Sequence, residues 1–400
     1  MIKHEFCTGC SACENICPVD AIQMEADDEG FDYPRILPDR CVHCNACNVI
    51  CDDVRGCAPN RTSDGLGRMY AGYAKDLRIR LKSSSGGVFS LLAERSIAAS
   101  GGVYGAQIDE NLEVVHAFLH DEEGLTALRQ SKYVQSRIGK TFRKIREDLA
   151  GGKNVVFSGT PCQVAGLKAF LGAEQENLLS VDFVCHGVPS PKLWRIYLKW
   201  LEKRFGAPVA NVEFRNKRTG WRQYSLSYGL GNGKTRHVAS SEDAFMRLFL
   251  SDRSLRPSCY HCRYKVEQSA ADLTLADFWA CDKVTGRYDD NQGVSLVFAH
   301  TDKGELALKG IAKDMVLWEQ PMTADTLRKC NRAALESPAL PAGRGELFDA
   351  IRTLENPDTV FCLPKVPYAL KFRTIRAGVK RKLMYSLIRG RRIQRLGGEN

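Results

Sequence analysis

Half of the chain's 16 cysteines fall in two copies of one spacing: Cys7, Cys10, Cys13 and Cys17, then Cys41, Cys44, Cys47 and Cys51. Each copy reads C-x2-C-x2-C-x3-C, and Pro18 follows the first. This run serves two [4Fe–4S] clusters, because three closely spaced thiolates wrap one cube and the fourth cysteine reaches the other. The expected sets are Cys7, Cys10, Cys13 and Cys51 for one cluster, and Cys41, Cys44, Cys47 and Cys17 for the other. Zinc sites use paired C-x2-4-C units rather than such triplets. Disulfides need an oxidising compartment, and no signal peptide is visible at the amino end. Asp52 follows Cys51 where a proline is usual, which loosens a turn but removes no ligand.

Four further cysteines suggest a third metal site: Cys162, Cys185 and the pair Cys259 and Cys262. The pair is a two-ligand clamp after Pro257. Cys162 follows Pro161 at a helix start, which favours thiolate. Four converging thiolates suit a third [4Fe–4S] cluster, with a structural zinc set or a redox-active dithiol as the alternatives. Cys57, Cys281, Cys330 and Cys362 have no partner spacing and read as buried, inert thiols, although Cys281 is near enough in sequence to substitute as a ligand.

The elements that must hold these residues follow from local pattern. Residues 155–158 (VVFS) read as a buried strand and 159–171 turn into a helix. Residues 178–184 (LLSVDFV) are another strand, and Ser190–Pro191 caps and opens a helix through Phe205. Strand, helix, strand, helix implies a parallel pair. Cys162 and Cys185 would then emerge at the same carboxyl edge, where open α/β sheets bind ligands. Ser83–Gly87 precede an amphipathic helix, 103–108 and 112–119 are strand candidates, and 141–150 is a helix. Residues 211–238 read as antiparallel strands around a Gly-Asn-Gly turn, with further strands at 271–279 and 294–300. The turn formers of 56–67 read as a linker.

At 400 residues with 44% apolar and 26% charged residues, the chain has the balance of a globular protein of two or three domains. No apolar run reaches the roughly 20 residues that a membrane span requires. The net charge of +10 resides in one place: residues 371–395 hold ten Lys or Arg and no acid, and elsewhere the charges balance. That stretch fits a basic amphipathic helix that lies on an anionic membrane face, docks an acidic partner, or packs on its own domain. A basic patch confined to a tail gives no ground for a nucleic-acid partner.

Several segments resemble the family of coenzyme F-420 hydrogenase/dehydrogenase beta subunits: KSSSGGVFSLL (82–92), SKYVQS (131–136), GTPCQVAGL (159–167), CHGVPSP (185–191), CYHC (259–262) and ADLTLADFW (271–279). They run in the family's order over about residues 1–300. Ala276 stands where the last motif usually has glycine. The resemblance implies one FAD with a cluster beside it. It points to Ser84, Ser85, Gly86 and Gly87 as pyrophosphate contacts at a helix start. Ser131, Lys132, Tyr133, Gln135 and Ser136 are further cofactor contacts on the same basis. Lys132 and His186 are the candidates for charge neutralisation and proton donation, with a solvated lysine and a hydrogen-bond partner of the cluster as their plainer alternatives.

The fold expected is a multidomain α+β and α/β chain: a ferredoxin-like 2[4Fe–4S] module at 1–60, a linker at 61–80, a mixed α/β flavin-binding catalytic domain at 81–330, and a C-terminal extension at 331–400. The function expected is that of a cytoplasmic iron–sulfur flavoprotein oxidoreductase, with contact of the tail with the inner membrane face or an acidic partner as alternatives to packing on its own domain. Clusters carry single electrons and flavin converts between one- and two-electron chemistry. Expected partners are reduced ferredoxin or a dehydrogenase subunit, and a small molecule or the deazaflavin coenzyme as acceptor. The alternatives are an electron-relay subunit without its own organic substrate and a cluster-bearing regulatory scaffold.

Overall fold

The computed structural model describes residues 4–56, 65–287, 289–353 and 357–361. Met1–Pro357 form one compact unit, and the chain from Asp358 forms a second. Cys57, Cys362 and the basic stretch 371–395 lie outside the described residues.

At the amino end, two cysteine loops flank a hairpin. The first loop leads into α1 (Ala12–Ile16), which carries Cys13 and ends at Cys17. Strands β1 (Ile22–Ala26) and β2 (Asp32–Ile36) pair antiparallel, with Ile22 opposite Ile36. The second loop leads into α2 (Ala46–Gly56), which carries Cys47 and Cys51. The duplication extends to the backbone. Gly9 and Ser11 have φ of 67° and 60°, and the equivalent His43 and Asn45 have 54° and 62°. Left-handed φ is unfavourable for residues with a Cβ. Turns of this kind gather successive N–H groups into a concavity that favours anions, as at many iron–sulfur sites.

The strands that follow are β3 (Arg68–Ala74), β4 (Gly102–Ile108), β5 (Val114–Leu119), β6 (Val155–Ser158), β7 (Leu178–Phe183), β8 (Val209–Asn216), β9 (Ser225–Leu230), β10 (Thr235–Ala239), β11 (Leu273–Asp277), β12 (Ser295–Ala299) and β13 (Met315–Glu319). The helices are α3 (Leu77–Lys82), α4 (Val88–Ala98), α5 (Glu122–Leu128), α6 (Thr141–Ala150), α7 (Pro161–Leu171), α8 (Pro191–Phe205), α9 (Ala244–Leu250), α10 (Cys281–Thr285), α11 (Asp302–Ile311), α12 (Ala324–Cys330) and α13 (Arg344–Thr353). Eight strands form one mixed sheet in the order β13-β3-β12-β11-β7-β6-β4-β5, and β8, β9 and β10 form a separate antiparallel sheet. The expected parallel pair is β6 with β7, Ser158 opposite Val181.

Alternation along the strands sends side chains into two layers. Val155 and Phe157 of β6 pack with Phe142 and Ile145 of α6 and with Leu167 and Phe170 of α7. The same cluster takes in Ala12, Ile50 and Val54 from the cysteine module. Val156 faces the other layer, with Leu91 of α4, Leu125 of α5 and Leu308 of α11. Polar contacts complete the docking of the module: Asn15 Nδ2 donates to Gly139 O at 2.7 Å, Arg143 Nε to Asn15 O at 2.7 Å, and Lys140 Nζ to Asp20 at 2.7 Å.

Two expected boundaries need correction. Residues 61–80 are not all linker, because 68–74 form β3, hydrogen-bonded between β12 and β13. Its partners lie more than two hundred residues on, so no local pattern revealed them. Residues just past 330 are likewise no appendage, since Ala334 is buried in the core around Leu296 and Phe298. Among the described residues no helix is long and apolar enough to cross a membrane.

Candidate iron–sulfur and cofactor site

Cys7, Cys10, Cys13 and Cys51 line one small cavity, with Val54 and Tyr264 beside them. These are the four grouped from spacing, and Cys47 also reaches this cavity. On the other side of the module Cys17 packs with Ala21 and Ile22, close to Cys13, Cys41, Cys47 and Ile36. Ala21 N donates to Cys17 Sγ at 3.2 Å. Cys44 is exposed. Cys51 therefore stands among Cys7, Cys10 and Cys13, and Cys17 stands beside Cys41 and Cys47.

The third set also converges. Pro161 and the reciprocal capping of Thr160 and Gln163 fix the start of α7 and place Cys162 in its first turn. Cys185 follows β7 at the same carboxyl edge. Cys259 and Cys262 lie on and just after the 3-10 turn Pro257–His261. All four line one cavity with Thr8, Arg256 and Tyr264. Burial pushes the Cys10 and Cys162 thiols up to about 12 and Cys259 to about 11, local hydrogen bonds opposing and neighbouring thiols reinforcing the effect. Such thiols give up their protons when a metal shares the charge. Cys281 is not among them: it is buried in the same core as Cys330, with its sulfur 3.7 Å from Thr285 Oγ1.

Beyond Cys185 opens a cavity of about 390 Å³. Ser84, Ser85, Gly87, Ser131, Lys132, Tyr133, Ser136 and His186 line it. Gly87 caps α4 with φ 97°, a conformation that suits glycine. Ser84 Oγ accepts from Ser131 N at 2.7 Å, which joins the two motifs. Two of the expected contacts lie elsewhere. Gly86 faces the sheet: a Cβ there would stand 2.4 Å from Gly72 O and 2.8 Å from Ser295 N. Gln135 turns toward the module, with Nε2 donating to Thr8 O at 2.9 Å and Oε1 accepting from Arg256 at 3.0 Å.

Lys132 Nζ donates to Ala127 O and Arg129 O, each at 2.7 Å, and burial lowers it to about 7. His186 Nε2 lies 2.6 Å from Asp252 Oδ1, close but poorly aligned for a hydrogen bond, and its ring meets Phe249 edge-on at 5.1 Å. Two cavity residues went unnoticed in the sequence. His116 pairs Nε2 with Ser158 O at 3.1 Å, leaves Nδ1 without a partner, and is lowered to about 4 mainly by burial. Arg215, 1% exposed, donates to Tyr133 Oη at 3.1 Å, Ser84 O at 3.0 Å and Asp277 Oδ1 at 3.2 Å. Its Nε is buried without a partner. A register shift between Glu213 and Asn216 breaks the alternation of β8 there, and both Phe214 and Arg215 are buried.

The sites share walls in sequence. Thr8 and Tyr264 line both the first cysteine cavity and the third. Cys185, His186, Gly187 and Val188 line both the third and the large cavity.

Residues 152–325 match the family model for the C terminus of the coenzyme F420 hydrogenase/dehydrogenase beta subunit, and residues 6–52 match a 4Fe-4S dicluster domain. The F(420)H(2) dehydrogenase F subunit of Methanosarcina mazei is 26% identical over 338 residues, 80% of this chain and 86% of that protein. An uncharacterized polyferredoxin-like protein of Methanocaldococcus jannaschii is 38% identical over 58 residues, 12% of this chain and 34% of that protein. A chain in the structure of the F420-reducing [NiFe] hydrogenase complex from Methanosarcina barkeri aligns at TM-score 0.45 and 17% identity, covering 73% of this chain and 93% of that one. The chain thus matches the C terminus of the coenzyme F420 hydrogenase/dehydrogenase beta subunit over residues 152–325 and carries a match to a 4Fe-4S dicluster domain at its amino end.

Proposed function

We propose that the protein is an iron–sulfur flavoprotein oxidoreductase, with two [4Fe–4S] clusters in the module, a third at Cys162, Cys185, Cys259 and Cys262, and FAD in the large cavity. The observation that carries this reading is the series of shared walls, from the module's first set through the third set to the cavity. Redox centres acting together need such an order. When bound, the clusters supply single-electron carriage and the flavin supplies exchange between one- and two-electron chemistry.

The residues present fit these groups. The paired left-handed turns at Gly9, Ser11, His43 and Asn45 favour an anionic occupant. Among the described residues, no three Cys, His, Asp or Glu side chains converge closely enough to share one metal ion. Thiolates on tetrahedral zinc stand only about 3.8 Å apart, given a Zn–S distance of about 2.3 Å. Thiolates on separate corners of a cube stand wider, so a cluster and a zinc ion make different demands on the third site. The cavity volume of about 390 Å³ lies in the usual range for small-molecule sites. Ser84 and Ser85 stand before the start of α4, and the unpartnered Nε of Arg215 offers a buried donor.

Lys132 and His116 give the cavity two groups that titrate below their ordinary values. Lys132 is suited to offset negative charge in the cavity, and His186 stands on the wall toward the third set as a proton donor. The relative from Methanosarcina mazei is named as part of a multi-chain dehydrogenase, which favours a protein redox partner for this chain as well. The acceptor is the deazaflavin coenzyme or another small molecule that takes two electrons. The test is anaerobic purification, flavin extraction, and reoxidation by candidate acceptors including the deazaflavin. One FAD per chain and reoxidation by a two-electron acceptor are expected. A protein with full iron and no flavin would favour a relay without its own substrate.

A further inference from the structure

Arg256 is among the largest fully buried side chains, 0% exposed, and among the described residues no carboxylate pairs with it. Every hydrogen bond it makes goes to a neutral group. Nε donates to Cys7 O at 2.7 Å, Nη2 to Asp32 O at 2.9 Å, and Nη1 to Gln135 Oε1 at 3.0 Å. The carboxylate of Asp32 is taken by Arg137 instead, at 2.9 Å. Nη2 also approaches Cys7 Sγ at 3.9 Å, and the guanidinium lies over the Tyr33 ring at 4.2 Å. A buried guanidinium without a counter-anion is costly, so the fold must bring negative charge to it.

The backbone of the same residue belongs to the third cysteine site. Arg256 N donates to Val188 O and Arg256 O accepts from Cys259 N, each at 2.9 Å. The residue lines the cavity of Cys162, Cys185, Cys259 and Cys262. Its side chain then reaches Cys7 of the first set. Gly9, with φ 67°, leaves room for this, since a Cβ there would stand 2.8 Å from Arg256 Nη1.

We propose that Arg256 is the shared counter-charge of the first and third cysteine sites, a positioning residue whose fixed cation between them raises the reduction potential of both. The proposal rests on the iron–sulfur reading above. A cluster held by four thiolates is anionic and gains one further negative charge on accepting an electron. A desolvated cation beside it therefore favours the reduced form. Cys17, Cys41 and Cys44 line neither cavity, and Cys47 reaches only the first, so three of the outer set's four thiols stand outside this arrangement.

The test is potentiometric titration of the intact anaerobic holoprotein, read by EPR, with iron content measured on each sample. R256Q removes the cation. Q135E leaves it in place and sets a carboxylate against Nη1, so it cancels the charge without emptying the site. R256K keeps a positive charge. For R256Q and Q135E, reduction should become at least tenfold less favourable at two of three centres, a fall of about 59 mV or more for each one-electron couple. The outer centre, of Cys17, Cys41, Cys44 and Cys47, stays within error of wild type, and R256K stays closer to wild type than R256Q. If R256Q fails to assemble, Q135E alone decides. Full iron content with all three midpoints unmoved, or all three moved equally, overturns the proposal. Wild-type protein without iron would instead overturn the functional reading itself.

Discussion

Asp182 is fully buried on β7, where Ser269 and Thr274 donate to its carboxylate, Ser269 at 2.6 Å. Burial outweighs these donors and raises it from 3.8 to about 7. The folded protein then binds this proton more tightly than the unfolded chain does. Its contribution to stability is complete below the unfolded value and is lost as pH rises toward the folded one. Asp182→Asn should match wild type only below pH 3.8 and gain on it steadily as pH rises to about 7, by a few kcal/mol at most (roughly 1.4 for each tenfold change in proton affinity). Apparent Tm of the anaerobic protein across about pH 5 to 7 checks this, and parallel curves would contradict it. Arg215 with the partly exposed Asp277 is a pair of another kind, and Asp277 also accepts from Trp221 Nε1 at 3.0 Å. Arg215→Met should cost about 1.5–3 kcal/mol in lost hydrogen bonds to a charged group, and the double variant Arg215→Met/Asp277→Asn should recover part of that without restoring flavin. The cysteines were legible because ligand geometry dictates spacing. Arg215, Arg256 and His116 were not, since what marks each is a distant partner or a local bulge.

Among the elements, the motif serines depend on backbone contacts that no spacing reveals. The close approach of Gly86 to Gly72 O and Ser295 N fixes the loop that carries Ser84 and Ser85. Gly86→Ala should displace that loop and reduce retained flavin more than Ser84→Ala does, although Gly86 itself faces away from the cavity. Equal flavin content in the two variants would contradict this. At the other end, α13 clasps the module's hairpin. Arg344 binds Glu29 through both guanidinium nitrogens, Arg352 reaches Glu29 at 3.1 Å, and Phe348 meets Phe31 with ring centroids 6.0 Å apart. Arg344→Gln should cost about 1.5–3 kcal/mol, the worth of hydrogen bonds to a charged group. It should also speed amide exchange in β1 and β2, while unchanged exchange would show the clasp to be idle. The parallel β6–β7 pair, α6 and the β9–β10 hairpin were legible from local pattern. Strand β3 was not, because its neighbours β12 and β13 are remote in sequence and a glycine-rich turn precedes it.

For the molecule as a whole, cysteine sets that lie far apart in the chain stand next to one another in space. The module is bound into the layer of α6 and α7 through Ala12, Ile50 and Val54, so it is held beside Cys162 and Cys262 of the third set. Burying such side chains contributes roughly 1.5–3 kcal/mol each for the larger two. That packing keeps Thr8 and Tyr264 between the first and third sites. The central claim is that three cubane sites and one flavin cavity stand in series within Met1–Pro357. The most direct measurement is iron, acid-labile sulfide, zinc and flavin per chain in protein purified without air from cells supplied with cluster-assembly machinery. The account expects about twelve iron, counted as four for each cluster, with one FAD and no zinc. About eight iron with one zinc would contradict the third site, and an intact chain free of iron would contradict the account as a whole.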